Sequence, residues 1–338
     1  MKGSGFIAGT VLACVCSFAS MLIAQDDTTP PAHVVHRPPR PGESPANQSP
    51  PSGQSKDETV PTFRKEVRLV NVFATVTDQR GAPIGGLTKE EFKVFEDGKE
   101  QKIAVFARES EMPLSIVLGI DASLSTRKDL PLELESAKKF AHAILRQQDG
   151  MALFQFSEIV QEVLPFTSDL RAIDRAITHV HTGAATALYD AVYLGSDALT
   201  RRQGRKVMVV ITDGGDTASK INYQEALRAT QIAEAILYPI IMVPIEASAG
   251  RDTGGEHALI QLAMDTGGKY YYATSLPELE KAFRQISDEL RTQYLVAYYP
   301  SNHAADEFRQ IKVTVGPRAD GSTLIVRHRA GYYSSKLR

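Results

Sequence analysis

The sequence predicts an α/β fold for its central part: a doubly wound, mainly parallel sheet with helices on both faces. Two observations support this prediction. Strand-like apolar runs alternate with helical segments from residue 111 to residue 291, as they do in a sheet built from βα units. Residues 116–120 contain no polar side chain, which is typical of a central strand buried on both faces.

Each element of this domain has its own signal. Short apolar runs predict the strands, and apolar residues at helical spacing predict the helices. The predicted strands cover residues 116–120, 151–156, 162–166 (a short edge strand), 206–212, 238–245 and 269–272. The predicted helices cover residues 132–145, 169–178, 187–200, 223–235, 257–266 and 276–290.

The segments on either side, residues 63–110 and 292–338, are rich in β patterns. Asp97–Gly98 predicts a hairpin turn between the run before it and residues 103–106. In the second segment, four runs predict strands. Because each segment alone is small for an independent core, we expect the two to form one β-sandwich into which the α/β domain is inserted. Two separate small β units are the alternative.

The N-terminus has the pattern of a secretory signal peptide, residues 1–24: Lys2, an apolar run and Ala24 at the cleavage point. An uncut membrane anchor is the alternative, and lipidation of Cys14 is a further variant. Both cysteines precede residue 25, so the cleaved chain holds no disulfide. We expect no membrane-spanning segment after cleavage. Residues 25–62 carry 9 of the 18 prolines and predict a disordered linker. The expected location is therefore periplasmic, envelope-associated or secreted.

The formal net charge of −2 gives no reason to expect nucleic acid or an anionic membrane as a partner. The basic residues are scattered along the chain. Their one short cluster, Arg201, Arg202, Arg205 and Lys206, is expected at the end of a helix.

Three separated pieces place oxygen-bearing side chains where ligands bind in such sheets, at the carboxyl ends of the strands. Asp121, Ser123 and Ser125 follow the first strand, Asp213 follows the strand at 206–212, and Thr186 precedes a helix. Carboxylates and hydroxyls suit a hard cation such as Mg²⁺, and the absence of Cys and His from these motifs argues against zinc or copper. The alternative is that these residues form ordinary helix caps and turns.

The pattern Asp121-x-Ser123-x-Ser125, then Thr186, then Asp213, resembles the metal-ion-dependent adhesion site of von Willebrand factor type A and integrin inserted domains. The resemblance covers about residues 113–290 and suggests an exported bacterial branch. It implies one Mg²⁺ or Mn²⁺ per domain, with Asp121, Ser123 and Ser125 as ligands. It further implies that Thr186 is engaged mainly in one state, that Asp213 acts through water, and that a protein partner supplies an Asp or Glu carboxylate.

The function expected is therefore that of an exported, metal-dependent protein-binding or adhesion module, and not of an enzyme. One alternative is a structural envelope protein in which the metal only stabilises the loops. Another is a metal-dependent hydrolase, but the chain has no Gly-x-Ser-x-Gly motif, no phosphate-binding loop and no general base beside the metal motifs. His179 and His181, just before the Thr186 loop, are interpreted as exposed loop residues.

Overall fold

The structure is a computed structural model that describes residues 69–108, 112–124, 126, 130–243, 253–301, 307–317 and 321–334. The signal peptide at 1–24, the linker at 25–62 and Ser125 lie outside these residues and stay predictions. In the part of the chain that is described, no helix has both the length and the apolar character that a membrane span requires.

The elements follow the order that the sequence predicts. The strands, numbered along the chain, are β1 (Val70–Thr77), β2 (Phe92–Glu96), β3 (Lys99–Gln101), β4 (Ile103–Arg108), β5 (Leu114–Asp121), β6 (Gly150–Phe156), β7 (Val160–Thr167), β8 (Arg205–Thr212), β9 (Ile236–Met242), β10 (Tyr271–Ala273), β11 (Tyr294–Tyr298), β12 (Phe308–Val315), β13 (Ile325–Arg327) and β14 (Gly331–Tyr333). The helices are α1 (Leu130–Ile144), α2 (Leu170–Thr178), α3 (Leu188–Thr200), α4 (Tyr223–Ala233), α5 (Thr253–Thr266) and α6 (Leu276–Arg291), with a single 3₁₀ turn at Lys89–Glu91.

Six strands form the central sheet in the order β10-β9-β8-β5-β6-β7. All neighbours are parallel except β7, which runs antiparallel to β6 at the edge. Every residue of β5 is buried, so the prediction of a central strand is confirmed. After β5 the chain forms β6 on one side of it and later β8 on the other, so the strand order reverses at β5. In such sheets, ligands bind at the carboxyl ends of the strands next to this point.

Helices cover both faces of this sheet, which confirms the doubly wound fold class. On one face α1, α2 and α6 pack against the even-numbered apolar residues of β5. On the other face α3, α4 and α5 pack against Val117 and the neighbouring strands. The strand ends are thereby held between two buried layers, and the loops that follow them are fixed at their bases.

The flanking strands form two four-stranded sheets, β13-β1-β11-β4 and β14-β12-β2-β3, which enclose one buried core. Each sheet contains strands from both sides of the α/β domain. The Asp97–Gly98 turn is present, with φ of 48° and 78°, but its second strand is β3 and not residues 103–106. Those residues begin β4, which pairs with β11 in the other sheet, because the chain changes layer at Lys102.

One helix boundary and one residue of the basic cluster differ from the expectation. α5 begins at Thr253, four residues before the predicted start, since Gly254 and Gly255 belong to its first turn. The basic cluster does lie at the end of a helix, since Arg201 is the C-cap of α3. Its member Arg205, however, begins β8, is buried, and donates a hydrogen bond to the carbonyl of Leu290 in the last turn of α6. A buried guanidinium that satisfies a helix-end carbonyl explains why this basic residue lies in an apolar layer.

Candidate functional site

Asp121, the last residue of β5, is 0% exposed. Its Oδ1 accepts a hydrogen bond from the amide of Ser123 at 2.9 Å, and its Oδ2 accepts one from Thr212 Oγ1 at 2.7 Å. Burial raises the pKa of Asp121 to about 6, although the hydrogen bonds from Thr212 and Ser123 oppose this shift. The carboxylate of Asp213 raises the pKa further. The side chain is therefore fixed in place but costly to ionise in the metal-free protein.

The loop after β8 is tied to the same carboxylate. Thr212, which donates to Asp121, also accepts a hydrogen bond from the amide of Gly214 at 3.1 Å. Gly214 has a φ of 95°, which a residue with a side chain adopts only at a cost. This turn leaves Asp213 half-buried, with Gly215 donating to its Oδ1 at 3.4 Å. Two carboxylates thus share this edge of the sheet.

The Thr186 loop is bound to both of the other loops. Gly183 donates to the carbonyl of Ala122 at 2.7 Å, next to Asp121. The amide of Thr186 bonds to Thr217 Oγ1 at 3.0 Å, and its carbonyl accepts from the amide of Thr217 at 2.8 Å. These bonds use the backbone of Thr186, and its hydroxyl takes no part in them. The three loops form one hydrogen-bonded assembly.

The structure therefore brings four of the five predicted residues to one edge of the sheet: Asp121, Ser123, Thr186 and Asp213. Ser125 lies outside the described residues. The nearby Asp216 caps a helix: its Oδ1 accepts a hydrogen bond from the amide of Leu188, at the start of α3, at 2.8 Å. His179 and His181 are exposed, as expected.

The donor set fits a hard divalent cation. It consists of carboxylate and hydroxyl oxygens, which Mg²⁺ and Mn²⁺ accept as ligands. Within the described ranges, no group of three or more His, Cys, Asp or Glu side chains is placed to hold a metal, so a site here depends on hydroxyls. The charged group that perturbs Asp121 is Asp213, a second acid, and a bound cation would relieve the repulsion between them.

Residues 116–215 match the family model of the von Willebrand factor type A domain, and this range includes all five predicted site residues. The central domain has the von Willebrand factor type A fold. We refer to the central sheet and its six helices as the type A domain. No curated protein was found to match the chain.

Solved structures resemble the chain only in part. BatB from Bacteroides thetaiotaomicron is 19% identical with a TM-score of 0.43, and the match covers 53% of this chain and 100% of that one. The von Willebrand factor domain of the type V pili tip protein Mfa5 from Porphyromonas gingivalis is 11% identical, with a TM-score of 0.43 and coverages of 52% and 94%. A von Willebrand factor type A protein from Catenulispora acidiphila is 11% identical, with a TM-score of 0.47 and coverages of 81% and 76%.

Two residues that support the site were missed by the sequence interpretation: Thr212 and Glu158. Glu158 Oε2 accepts hydrogen bonds from Ala184 at 2.7 Å and Ala185 at 3.4 Å. Together with hydrogen bonds from its own amide and from Ser157, they lower the pKa of Glu158 to about 2, and the bond from Ala184 contributes most. Glu158 follows β6 at the same sheet edge. The rule that ligand sites lie at strand ends would have included it, had it been applied to every strand.

Proposed function

We propose that this protein is an exported, cation-dependent protein-binding module. In this proposal the type A domain holds one Mg²⁺ or Mn²⁺ through Asp121, Ser123, Ser125, Thr186 and Asp213, and thereby binds an acidic group of a partner protein. The supporting observation is the buried carboxylate of Asp121. It accepts a hydrogen bond from Thr212 at the end of β8 and is repelled by the carboxylate of Asp213. Export rests on the sequence of residues 1–24.

In this proposal, different residues of the chain position different loops of the site. Asp121 and Thr212 join the loops after β5 and β8, so that the oxygens around the site are preorganised before any ligand arrives. Glu158 and Thr217 fix the backbone of the Thr186 loop and leave the Thr186 hydroxyl available. A bound divalent cation supplies the positive charge that attracts a partner's carboxylate.

A manganese titration of the purified protein, followed by electron paramagnetic resonance, tests the proposal. We expect one saturable Mn²⁺ site per chain that Mg²⁺ displaces competitively. A folded protein without such a site would contradict the proposal. A site that stabilises the protein but gives no cation-dependent binding of acidic peptides would favour the alternative in which the metal only rigidifies the loops.

The rim of the site carries exposed aliphatic side chains. Leu124 is 59% exposed and Ile159 is 62% exposed, in the turns that follow β5 and β6. The last residues of these two strands, Asp121 and Phe156, are register partners, so both turns leave the sheet at the same edge. Exposed apolar groups beside a polar anchor are typical of contact surfaces. We therefore expect the partner's acidic residue to have apolar neighbours.

This expectation predicts a preference among short peptides. In saturating Mg²⁺, acetyl-Leu-Asp-Leu-amide should bind about three- to tenfold more tightly than acetyl-Ser-Asp-Ser-amide, as measured by NMR titration. The double variant Leu124→Ser, Ile159→Ser should lose this preference and keep its Mn²⁺ affinity. Met264→Ser is the control, because Met264 is 61% exposed in the last turns of α5. Equal binding of both peptides by the unmodified protein would refute the prediction.

A further inference from the structure

Glu256 is an acidic residue next to the candidate site. It lies in the first turn of α5 and is 6% exposed. A Cβ placed on Gly214 would lie 3.2 Å from Glu256 Cγ and 3.4 Å from its amide nitrogen. Glu256 therefore packs directly against the turn that carries Asp213. Its sequence context, Glu256-His257, lacks the spacing of a zinc protease motif and gave no other signal.

The far end of the same side chain is held by the edge strand. Tyr272, on β10, donates a hydrogen bond from its hydroxyl to Glu256 Oε2 at 3.0 Å. The ring of Tyr272 packs edge-on against Tyr270, with ring centroids 5.7 Å apart. Glu256 thus connects the loop after β8 with a strand two positions away in the sheet.

We propose that Glu256 is a positioning residue for the cation site: from α5, and anchored by Tyr272, it sets the position of the Asp213–Gly214 turn. This inference rests on the proposed function. Gly214 has no side chain and a positive φ, so its own conformation does little to hold the turn, and a neighbour that packs on it fixes Asp213 relative to Asp121. The distance between the two carboxylates then depends on Glu256.

The position of Asp213 matters more for Mg²⁺ than for Ca²⁺. Mg²⁺ demands a nearly ideal octahedron at short distances, whereas Ca²⁺ accepts six to eight oxygens in flexible arrangements. A turn that has lost its support should therefore weaken Mg²⁺ binding more than Ca²⁺ binding. General destabilisation of the fold would lower both affinities together, so the ratio of the two is specific to positioning.

The test measures Mg²⁺ and Ca²⁺ dissociation constants of the full protein by competition with Mn²⁺, beside thermal unfolding of the metal-free protein. Glu256→Ala should weaken Mg²⁺ binding about tenfold and Ca²⁺ binding by less than about threefold. Glu256→Gln keeps the shape and the hydrogen bond from Tyr272, so it should restore most of the Mg²⁺ affinity. Tyr272→Phe should have an intermediate effect. Glu225→Ala is the matched control, since Glu225 lies in the first turn of α4 and caps that helix.

The outcomes separate this inference from the proposed function. If the unmodified protein binds no cation, both are overturned. If it binds Mg²⁺ and the Glu256 and Tyr272 variants keep its Mg²⁺ to Ca²⁺ ratio, only the positioning role is overturned. Should Glu256→Ala fail to fold, Tyr272→Phe decides the matter, because it removes one hydroxyl from a side chain that is 40% exposed. An unchanged ratio in Tyr272→Phe would then refute the inference.

Discussion

Replacing Glu289 with alanine is expected to lower the free energy of unfolding by about 3–5 kcal/mol, the largest stability effect that we predict. Glu289 lies in the last turn of α6 and is 3% exposed. Its Oε2 accepts a hydrogen bond from Arg327 Nη2 at 2.5 Å, and its Oε1 accepts one from the Tyr238 hydroxyl at 2.7 Å. Alanine would leave the largely buried guanidinium of Arg327 without this carboxylate.

The same cluster joins the type A domain to the flanking sheets. Glu289 and Tyr238 belong to the type A domain, whereas Arg327 lies on β13 and Thr75 on β1. Thr75 Oγ1 lies 3.4 Å from Glu289 Oε1, and Gln293 Nε2 lies within 3.4 Å of both Thr75 Oγ1 and the Tyr238 hydroxyl. Because these bonds cross the boundary between the two parts, we expect both parts to unfold in one transition.

Urea unfolding monitored by circular dichroism checks this prediction. Glu280→Ala is the matched control: Glu280 lies on the same helix and pairs with Lys139 at 2.6 Å, but at the surface. An exposed pair of this kind contributes little to stability. A double-mutant cycle with Arg327→Met should give a coupling free energy of about 2 kcal/mol or more. Similar small losses for both glutamate variants would show that the cluster does not hold the two parts together.

The sequence predicted the fold because its signals are local. The apolar run of β5 and the helical spacing of α1 to α6 each depend on neighbouring residues. The Glu289 cluster could not be predicted in this way, because Thr75 and Glu289 are 214 positions apart and neither belongs to a recognisable motif. The Asp97–Gly98 turn shows the same limit: the turn chemistry was right, but the choice of partner strand depended on the second sheet.

The residues of the candidate site could also be predicted from local signals in the sequence. Asp121, Thr186 and Asp213 lie at strand or helix ends, where the sheet topology itself determines which residues meet. Their supporting contacts were not predictable. Glu256 reaches Gly214 across the fold, and Glu158 binds two amides of a loop 26 and 27 residues away. Such residues reveal their role only through three-dimensional contacts.

Asp121→Asn is expected to weaken Mn²⁺ binding at least about a hundredfold while leaving the metal-free protein as stable as before, or more stable. Asparagine has the shape of aspartate, and its Oδ1 can still accept the Ser123 amide. Its amide nitrogen can donate to Thr212 Oγ1, which reverses the present bond. What it removes is the negative charge, which burial makes costly in the absence of a cation.

The pH dependence of stability follows from the raised pKa of Asp121. The folded protein holds this proton with a pKa of about 6, against 3.8 for the exposed side chain. Since the folded state binds the proton more tightly, the metal-free protein should lose stability as the pH rises from about 4 to above 6, by at most about 3 kcal/mol. Asp121→Asn should lack this loss, so its advantage appears at neutral pH and disappears near pH 4.

At neutral pH, Mg²⁺ should cancel most of the stability advantage that Asp121→Asn has over the unmodified protein. At a hundred times its dissociation constant, Mg²⁺ adds about 2.7 kcal/mol to the unmodified protein and nothing to a variant that does not bind it. Asp149→Asn is the control, because Asp149 is also buried and accepts the amides of Leu114 and Arg146, but at the opposite edge of the sheet. It should lose the same stability with and without Mg²⁺. If Asp121→Asn instead destabilised the metal-free protein as Asp149→Asn does, the carboxylate would be a structural cap and not a cation ligand.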